Sequence, residues 1–284
     1  MHIITCEING SRHAGVALAE TAVSLAGAGY TDVLTFVAGG AEALAKAAEY
    51  VANPPAEAVF PLADVKLLAP IPRPQKIICI GLNYHDHAIE SKMALPEKPI
   101  VFSKYSTSVI ATGENIVLPK MSTKPDYEAE FGVVIGPGGK NIKAADWKSH
   151  VYGYVNINDV SARDIQLGSS QWMMGKTFDT FCPMGPWLVT ADEIADPHNL
   201  PIWLTVNGEK LQNSNTKELI FNIPHLIEYL SAIMTLEPGD IISTGTPAGV
   251  GLGWNPPKWL KPGDEVVVCV EGLGELKNTC VAEE

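Results

Sequence analysis

The sequence predicts a strand-rich α+β protein, arranged as a compact sandwich or roll rather than a doubly wound α/β fold. Short apolar runs recur along the chain, and turn signals such as Gly136–Gly139 and Pro262–Asp264 separate them. Helical patterns are few by comparison. The regular alternation of strand and helix that builds a parallel sheet is therefore missing.

The N-terminal part predicts one helix and a domain boundary. Alanine, leucine and glutamate dominate Ala41–Val51, which indicates a short helix, and two prolines directly after it end the helix. A second proline cluster around Pro72 precedes the apolar run Ile77–Ile80. We place the boundary there, with a small N-terminal domain over residues 1–72 and the main domain over residues 73–284.

The main domain is predicted to contain mostly strands. Its further apolar runs are Ile100–Phe102, Phe131–Ile135, Val151–Ile157, Trp187–Thr190, Ile202–Val206, Asp240–Thr244 and Glu265–Glu271. The clearest helical pattern lies at Ile223–Thr235. This succession of strands with one clear helix is the basis for the α+β prediction.

The charge of the chain limits its partners. The formal net charge of the 284 residues is -12. An acidic protein offers no electrostatic attraction to nucleic acid or to an anionic membrane, so we expect neither as a partner. A site for an anionic ligand must therefore be formed by a few local cations or by a metal ion.

The cysteines and the N-terminal residues bear on the cellular compartment. The five cysteines are odd in number and scattered, without a Cys-x-x-Cys pair, which argues against a disulfide framework or a zinc site. The N-terminal residues lack a basic region followed by a long apolar run. We therefore expect a cytoplasmic protein.

Three carboxylates predict a metal site. On a strand, Glu128 and Glu130 project from one face, while Ala129 and Phe131 project from the other. Asp159 ends another strand-like run. A solvated strand face is the alternative interpretation, but the apolar flanks argue for burial. Carboxylates without histidine or cysteine partners favour a hard cation such as Mg²⁺ or Mn²⁺.

Six ordered motifs resemble those of the fumarylacetoacetate hydrolase family over nearly the whole chain. They are Gly81–Tyr84 with His87 and Glu90, Tyr127–Glu130, Asn158–Asp164, Gly175–Thr180, Thr244–Gly251 and Leu260–Asp264. Within the family, the chain is most similar to the branch of fumarylacetoacetate hydrolase domain-containing protein 2. The resemblance implies a β-sandwich roll with a small N-terminal domain, a homodimer, and a Mg²⁺ or Mn²⁺ ion on Glu128, Glu130 and Asp159.

His87 and Glu90 form a candidate catalytic dyad. Their spacing of three residues puts both side chains on one face of a helical turn. A carboxylate beside an imidazole orients the ring and stabilises its protonated form, as a general base requires. An incidental pair on a surface helix is the alternative. The family resemblance favours the dyad, carried on a lid over the substrate.

The resemblance also implies roles for other polar residues. Lys176 would stabilise a developing enolate, although it could be an ordinary surface lysine. Arg163 and Gln166 match positions that contact substrate, but Arg163 could equally pair with a nearby acid. Thr246 could bind a substrate carboxylate or simply belong to a tight turn. Lys104 is a further candidate for the substrate pocket.

The predicted function is hydrolysis of a C–C bond in an acylpyruvate-type 2,4-dioxo acid, by way of a pyruvate enolate that the metal stabilises. His87 would activate the attacking water. Oxaloacetate decarboxylation or keto–enol tautomerisation is the alternative, and the branch resemblance favours it. A catalytically silent binding protein with the same fold is the alternative from another class. In each case the ligand is expected to be a small 2-oxo acid.

Overall fold

The computed structural model describes residues 1–284. Its strands are β1 His2–Ile8, β2 Ser11–Ala17, β3 Thr21–Ser24, β4 Val59–Pro61, β5 Lys66–Leu68, β6 Ile77–Gly81, β7 Ile100–Lys104, β8 Val109–Ile110, β9 Asn115–Leu118, β10 Pro125–Asp126, β11 Ala129–Ile135, β12 Val151–Asn158, β13 Ser161–Ala162, β14 Cys182–Thr190, β15 Pro201–Val206, β16 Glu209–Asn215, β17 Ile241–Ser243, β18 Glu265–Val270 and β19 Glu275–Ala282. Its α-helices are α1 Val33–Ala38, α2 Gly40–Ala52, α3 His85–Glu90, α4 Arg163–Gln166, α5 Met173–Lys176 and α6 Ile223–Ile233. The predicted strand-rich α+β class is confirmed. None of these helices combines the length and the apolar character that crossing a membrane requires.

The strands form two main sheets. The larger has 12 strands in the order β4-β3-β2-β1-β14-β12-β11-β17-β6-β7, with β5 paired to β1 and β8 paired to β14. The smaller has five strands in the order β16-β15-β18-β19-β9. A separate two-stranded pair joins β10 to β13. Most neighbours are antiparallel, but β6 runs parallel to β17.

Two apolar cores cover the faces of the larger sheet. On one face, Phe131 and Val133 of β11 pack with Val268 of the smaller sheet. On the other, Val134 packs with Phe36 of α1 and with residues of α2. Because successive residues of β11 enter different cores, this strand is buried on both faces.

The N-terminal strands continue the larger sheet. β1 pairs with β14, and β2 and β3 follow it outward. Val16 and Phe36 share a core with Val155 and Leu188 of the main sheet. The division into residues 1–72 and 73–284 stays a prediction.

The other predicted elements correspond to observed ones, with longer bounds in several cases. The predicted helices Ala41–Val51 and Ile223–Thr235 are α2 and α6. The run Trp187–Thr190 is only the end of β14, which begins at Cys182. Prolines inside that segment weaken its strand signal, because proline lacks the N–H group that a ladder uses.

Strand pairing brings four chain segments to one edge of the larger sheet. The start of β11 pairs with the end of β12 through Ala129 and Asn158. The end of β17 lies beside the start of β11, since Ser243 pairs with Gly132. β6 runs parallel to β17, so both of these strands end at the same edge. The candidate site lies there.

Candidate active site

The three predicted metal ligands meet at this edge. Glu128, Glu130 and Asp159 each offer a carboxylate oxygen, and these oxygens lie within 4.8 Å of one another. All three side chains are buried. Ala129 and Phe131 point into the core on the opposite side of the strand. The alternation predicted from the sequence is therefore what brings the carboxylates together.

Buried cations surround the carboxylates. Lys176 Nζ donates to Glu128 Oε2 at 2.6 Å and to Asp159 Oδ2 at 2.8 Å. Lys104 Nζ donates to the other oxygen of Asp159. Arg163 Nη2 lies 2.6 Å from Glu128 Oε1. These five residues, together with Asp126 and Glu130, form what we call the charged centre.

Glu130 is the carboxylate of this centre without a cationic hydrogen-bond partner. Its Oε2 accepts from Ser243 Oγ at 2.5 Å and from the N–H of Gly245 at 3.0 Å. Burial, together with the charges of Asp159 and Glu128, raises the pKa of Glu130 to about 8. Glu130 is therefore the carboxylate whose charge no cation of the centre contacts.

A divalent cation fits this donor set. Burial opposes ionisation of Glu128, but the charges of Arg163 and Lys176 outweigh it and hold the pKa of Glu128 at about 2. The centre therefore contains carboxylate oxygens already ionised, while Glu130 requires added positive charge to ionise at neutral pH. Hard oxygen ligands of this kind suit Mg²⁺ or Mn²⁺.

Lys176 is held as an ammonium. Burial lowers its pKa, but the charges of Asp159 and Glu128 raise it more, and the net pKa shift is upward. An ammonium has three N–H donors, and the two carboxylates occupy two of them. Lys176 also lines the cavity described below, with Nζ 5.2 Å from the ring centroid of Phe102. Its remaining donor can serve a ligand.

The predicted dyad forms on α3. His87 Nδ1 lies 3.0 Å from Glu90 Oε2, and the other oxygen of Glu90 accepts from the N–H of Gly249 at 2.8 Å. Asp86 secures the helix from the other side, since its Oδ2 accepts from Ser214 Oγ at 2.5 Å. With Nδ1 assigned as the donor to the carboxylate, Nε2 is the ring nitrogen left with a lone pair.

Gln212 determines the hydrogen-bonding role of Thr246. The side-chain oxygen of Gln212 accepts from the N–H of Ala129 at 2.8 Å, which fixes the orientation of the amide. Its Nε2 then donates to Thr246 Oγ1 at 2.9 Å and to the carbonyl of Pro247 at 2.8 Å. Because Thr246 already accepts from Gln212, its own hydroxyl proton remains available to a ligand.

One cavity of about 500 Å³ unites most of the predicted residues. Those in its wall are His87, Glu90, Glu128, Glu130, Arg163, Gln166, Lys176 and Thr246. Lys104 and Asp159 do not line it. The ammonium of Lys104 lies behind Asp159 and donates to the carbonyl of Val160 at 3.1 Å. The structure thus joins Lys104 to a predicted metal ligand rather than to the substrate space.

Arg163 pairs with acids of the charged centre. Its Nε donates to Asp126 Oδ2 at 2.8 Å, in addition to its contact with Glu128. Asp164, its neighbour in sequence, instead accepts from the loop before β10. Arg163 Nη1 donates to the side-chain oxygen of Gln166 at 3.0 Å. The amide nitrogen of Gln166 thereby remains free to donate into the cavity.

The sequence analysis did not single out Asp126 or Gln212. Asp126 accepts from Arg163 and from the N–H of Gly251 at 2.6 Å, so it joins the charged centre to the loop after β17. A signal for it existed, because Asp126 continues the alternation of Glu128 and Glu130 by one step. No local pattern marks Gln212, which lies far from its partners in sequence.

Comparison with known proteins identifies relatives over most of the chain. Residues 76–281 match the family model for the fumarylacetoacetate (FAA) hydrolase C-terminal region. An oxaloacetate tautomerase of Bos taurus, named mitochondrial, is 51% identical over 225 residues, which are 78% of this chain and 72% of that protein. The Homo sapiens protein of the same name is 49% identical with the same coverage. A Dictyostelium discoideum homolog of fumarylacetoacetate hydrolase domain-containing protein 2 is 50% identical over 77% of this chain and 75% of its own length. The predicted family and branch are confirmed.

Solved structures of similar proteins support the same fold type. A fumarylacetoacetate hydrolase from Exiguobacterium antarcticum has a TM-score of 0.88 at 35% identity, and each chain is covered completely. A maleylpyruvate hydrolase from Sphingobium sp. SYK-6, crystallised with manganese(II) and pyruvate, has a TM-score of 0.85 at 29% identity, again with complete coverage. A 2-hydroxyhepta-2,4-diene-1,7-dioate isomerase from Mycobacterium marinum has a TM-score of 0.78 at 33% identity, over 100% of this chain and 99% of that one. The predicted fold type is thus confirmed.

The expected cytoplasmic localisation is wrong. Relatives that are about half identical to the chain are named mitochondrial. The expectation rested on the lack of a secretory leader. That criterion does not distinguish the cytoplasm from a compartment that proteins enter with other signals.

Proposed function

This chain belongs to the fumarylacetoacetate hydrolase family, and from that premise we propose that it is a metal-dependent enzyme that interconverts the keto and enol forms of oxaloacetate. The names of relatives that are about half identical support the substrate. One observation supports the reaction: a buried ammonium, Lys176, and the His87–Glu90 pair line the same cavity as Glu128 and Glu130.

The proposed cation site consists of Glu128, Glu130 and Asp159. A Mg²⁺ or Mn²⁺ ion held there would supply Lewis acidity to the 2-oxo group of the substrate. Lys176 adds a hydrogen bond to the C2 oxygen as negative charge develops on it. Because its charge is already balanced by two carboxylates, Lys176 can donate without giving up its proton.

His87 is the proposed base. Tautomerisation takes one proton from C3 and delivers one proton to the C2 oxygen. The upward shift in its pKa makes Lys176 a poor base, whereas His87 has a free Nε2 once Nδ1 donates to Glu90. Glu90 stabilises the imidazolium after His87 accepts the C3 proton. His87 then releases this proton to solvent, and the C2 oxygen takes up one proton from solvent, so that no net proton is gained or lost.

Thr246, Gln166 and Arg163 would orient the shared 2-oxo acid end. The hydroxyl of Thr246 and the amide of Gln166 each retain a donor directed at no protein group. Such donors suit the C1 carboxylate, since charge-assisted hydrogen bonds are stronger than neutral ones. Arg163 acts mainly through Glu128 and Gln166, whose positions it holds.

Hydrolysis of an acylpyruvate is the second candidate. The similar structure of a maleylpyruvate hydrolase, crystallised with manganese(II) and pyruvate, supports a pyruvate-binding centre of this type. In that reaction His87 would deprotonate water for attack on a distal carbonyl. Oxaloacetate carries a carboxylate there, which is a poor electrophile. It would therefore undergo proton transfer or loss of CO₂ instead.

Product analysis tests the proposal. With Mg²⁺ or Mn²⁺, we expect faster decay of the enol absorbance of oxaloacetate, with total oxaloacetate conserved, and a chelator should abolish the acceleration. Pyruvate and CO₂ as products would make the protein a decarboxylase. Cleavage of acetylpyruvate, with no effect on oxaloacetate, would make it a hydrolase. If neither oxaloacetate nor acetylpyruvate reacts, with or without metal, a silent binding protein would be favoured.

A further inference from the structure

The charged centre has a charge that suits one carboxylate. It contains four carboxylates, Asp126, Glu128, Glu130 and Asp159, and three cations, Lys104, Arg163 and Lys176. With all of them ionised, the net charge is one negative, and a divalent cation would change it to one positive. The C1 carboxylate of a 2-oxo acid would balance that charge. A dicarboxylate brings a second negative charge, which needs a cation elsewhere.

The wall of the cavity offers one further cation, Lys92. Apart from Arg163 and Lys176, it is the only lysine or arginine among the lining residues. Lys92 has no acidic partner within salt-bridge distance, whereas the two others are both paired. It lies two residues after the last residue of the helix that carries the His87–Glu90 dyad, and its N–H donates to the carbonyl of Ile89 at 3.1 Å.

Lys92 is the only charged side chain among the exposed residues that line the cavity. These exposed lining residues are Ser91, Lys92, Met93, Leu167, Leu252 and Gly253, and we call them the mouth. Leu82 and Trp172 also line the cavity. These apolar groups can pack against a substrate, but they cannot compensate a carboxylate, which would lose hydration on entering. A flexible lysine at this point supplies the missing charge.

We propose that Lys92 binds the distal carboxylate of a short 2-oxo dicarboxylate and so selects dicarboxylates over 2-oxo acids with an uncharged tail. The inference rests on the proposed function, because it assumes that the C1 end lies at the charged centre. It adds a residue that determines specificity without touching the atoms that react. The ordinary alternative for Lys92 is a solvated lysine beside a helix C-terminus.

Unreactive ligands test the inference directly. Malate has a distal carboxylate and lactate does not, yet both present a carboxylate and a 2-hydroxyl group to a metal. In titration calorimetry of the intact protein with Mg²⁺, Lys92→Met should weaken malate binding about tenfold, as expected for one charged hydrogen bond, and leave lactate binding unchanged. Lys92→Arg should retain the preference for malate.

Lys98→Met is the matched control. Lys98 is exposed on the same connection between α3 and β7 but does not line the cavity. Its replacement removes the same charge and should leave both ligands unaffected. Equal loss for malate and lactate, or no loss for either, in Lys92→Met overturns the inference. If the preference for malate depends on Lys92 while oxaloacetate is not tautomerised, only the proposed function fails.

Discussion

The charged centre and the mouth lie in the same cavity but differ in burial and pairing. Every side chain of the centre is buried, and its lysines and arginine each contact at least one carboxylate. At the mouth, Met93 is 50% exposed and Leu252 is 41% exposed. With this difference in burial and pairing, the two ends are suited to separate tasks. The buried charged centre can bind the 2-oxo carboxylate end that all 2-oxo acids share. The exposed mouth can discriminate between the distal groups in which these acids differ.

Asp159→Ala should have the largest effect, because Asp159 is the shared partner of two buried lysines. Its removal leaves Lys104 without an acidic partner and Lys176 with Glu128 alone, which costs about 3–5 kcal/mol in the free energy of unfolding. Binding of Mg²⁺ should also be lost. Urea unfolding and metal titration measure the two effects.

An exposed ion pair supplies the control for that variant. Glu209 pairs with Lys258 at 2.7 Å, and the side chain of Glu209 is 64% exposed. Glu209→Ala should cost less than about 1 kcal/mol. If Asp159→Ala were no less stable than Glu209→Ala, the centre would not be the tightly coupled network described above.

His87→Ala should come next, with a loss of activity but not of structure. Removing the general base should lower kcat by about 10²- to 10⁴-fold. The affinity for Mg²⁺ should not change, since His87 contacts none of the three metal carboxylates through a hydrogen bond. His85→Ala is the control, because His85 is exposed on the same helix and does not line the cavity. Equal activity in both variants would remove His87 from the mechanism.

The sequence predicts the carboxylates of the centre better than their partners. Glu128 and Glu130 follow from alternation along a strand, which is a local rule. Lys104 pairs with Asp159 across 55 positions, and no local rule reports such a contact. The position of Lys104 after the run Ile100–Phe102 made it a candidate for the substrate pocket but did not indicate this partner. Local periodicity shows which side chains share a face, whereas partners from distant strands emerge only from the fold.

The same limit applies to the prediction of the fold from the sequence. Apolar runs predicted eight strands of the main domain, because burial of these strands produces a pattern along the chain. They missed β16, β19 and the short strands β8, β9, β10 and β13. The pairing of β1 with β14 places His2 opposite Val189, and no pattern in the local composition indicates this contact. How the N-terminal strands extend the larger sheet was consequently not predictable from the sequence.

The pH dependence of metal binding should be traceable to the centre rather than to the mouth. Burial and the charges of Asp159 and Glu128 raise the pKa of Glu130 to about 8, so at pH 7 this carboxyl holds a proton that the cation must displace. Binding should therefore release about one proton at pH 7, and affinity should rise about tenfold per pH unit below pH 8. Calorimetry in buffers of different ionisation enthalpy measures the release.

Stability of the metal-free protein gives an independent check on the same group. The ordinary pKa of this carboxyl is 4.5, so between that value and about 8 the folded state binds more protons than the unfolded state. The metal-free protein should accordingly lose stability as the pH rises through this range.

At pH 9 proton release on metal binding should disappear. Release that persists at pH 9 would point to a different group.

The smallest effect is expected at Thr246, which we propose binds the substrate without taking part in proton transfer. Gln212 donates to Thr246 Oγ1, so the hydroxyl proton is free for the substrate carboxylate. Thr246→Val removes this donor and should raise KM about tenfold, the worth of one hydrogen bond to a charged group. Because that bond is equally strong in the ground and transition states, kcat should stay within about twofold. Thr246→Ser keeps the hydroxyl and should behave like the wild type. A fall in kcat as large as the rise in KM would mean that Thr246 also stabilises the developing charge. Thr246 would then take part in the reaction as well as in substrate binding.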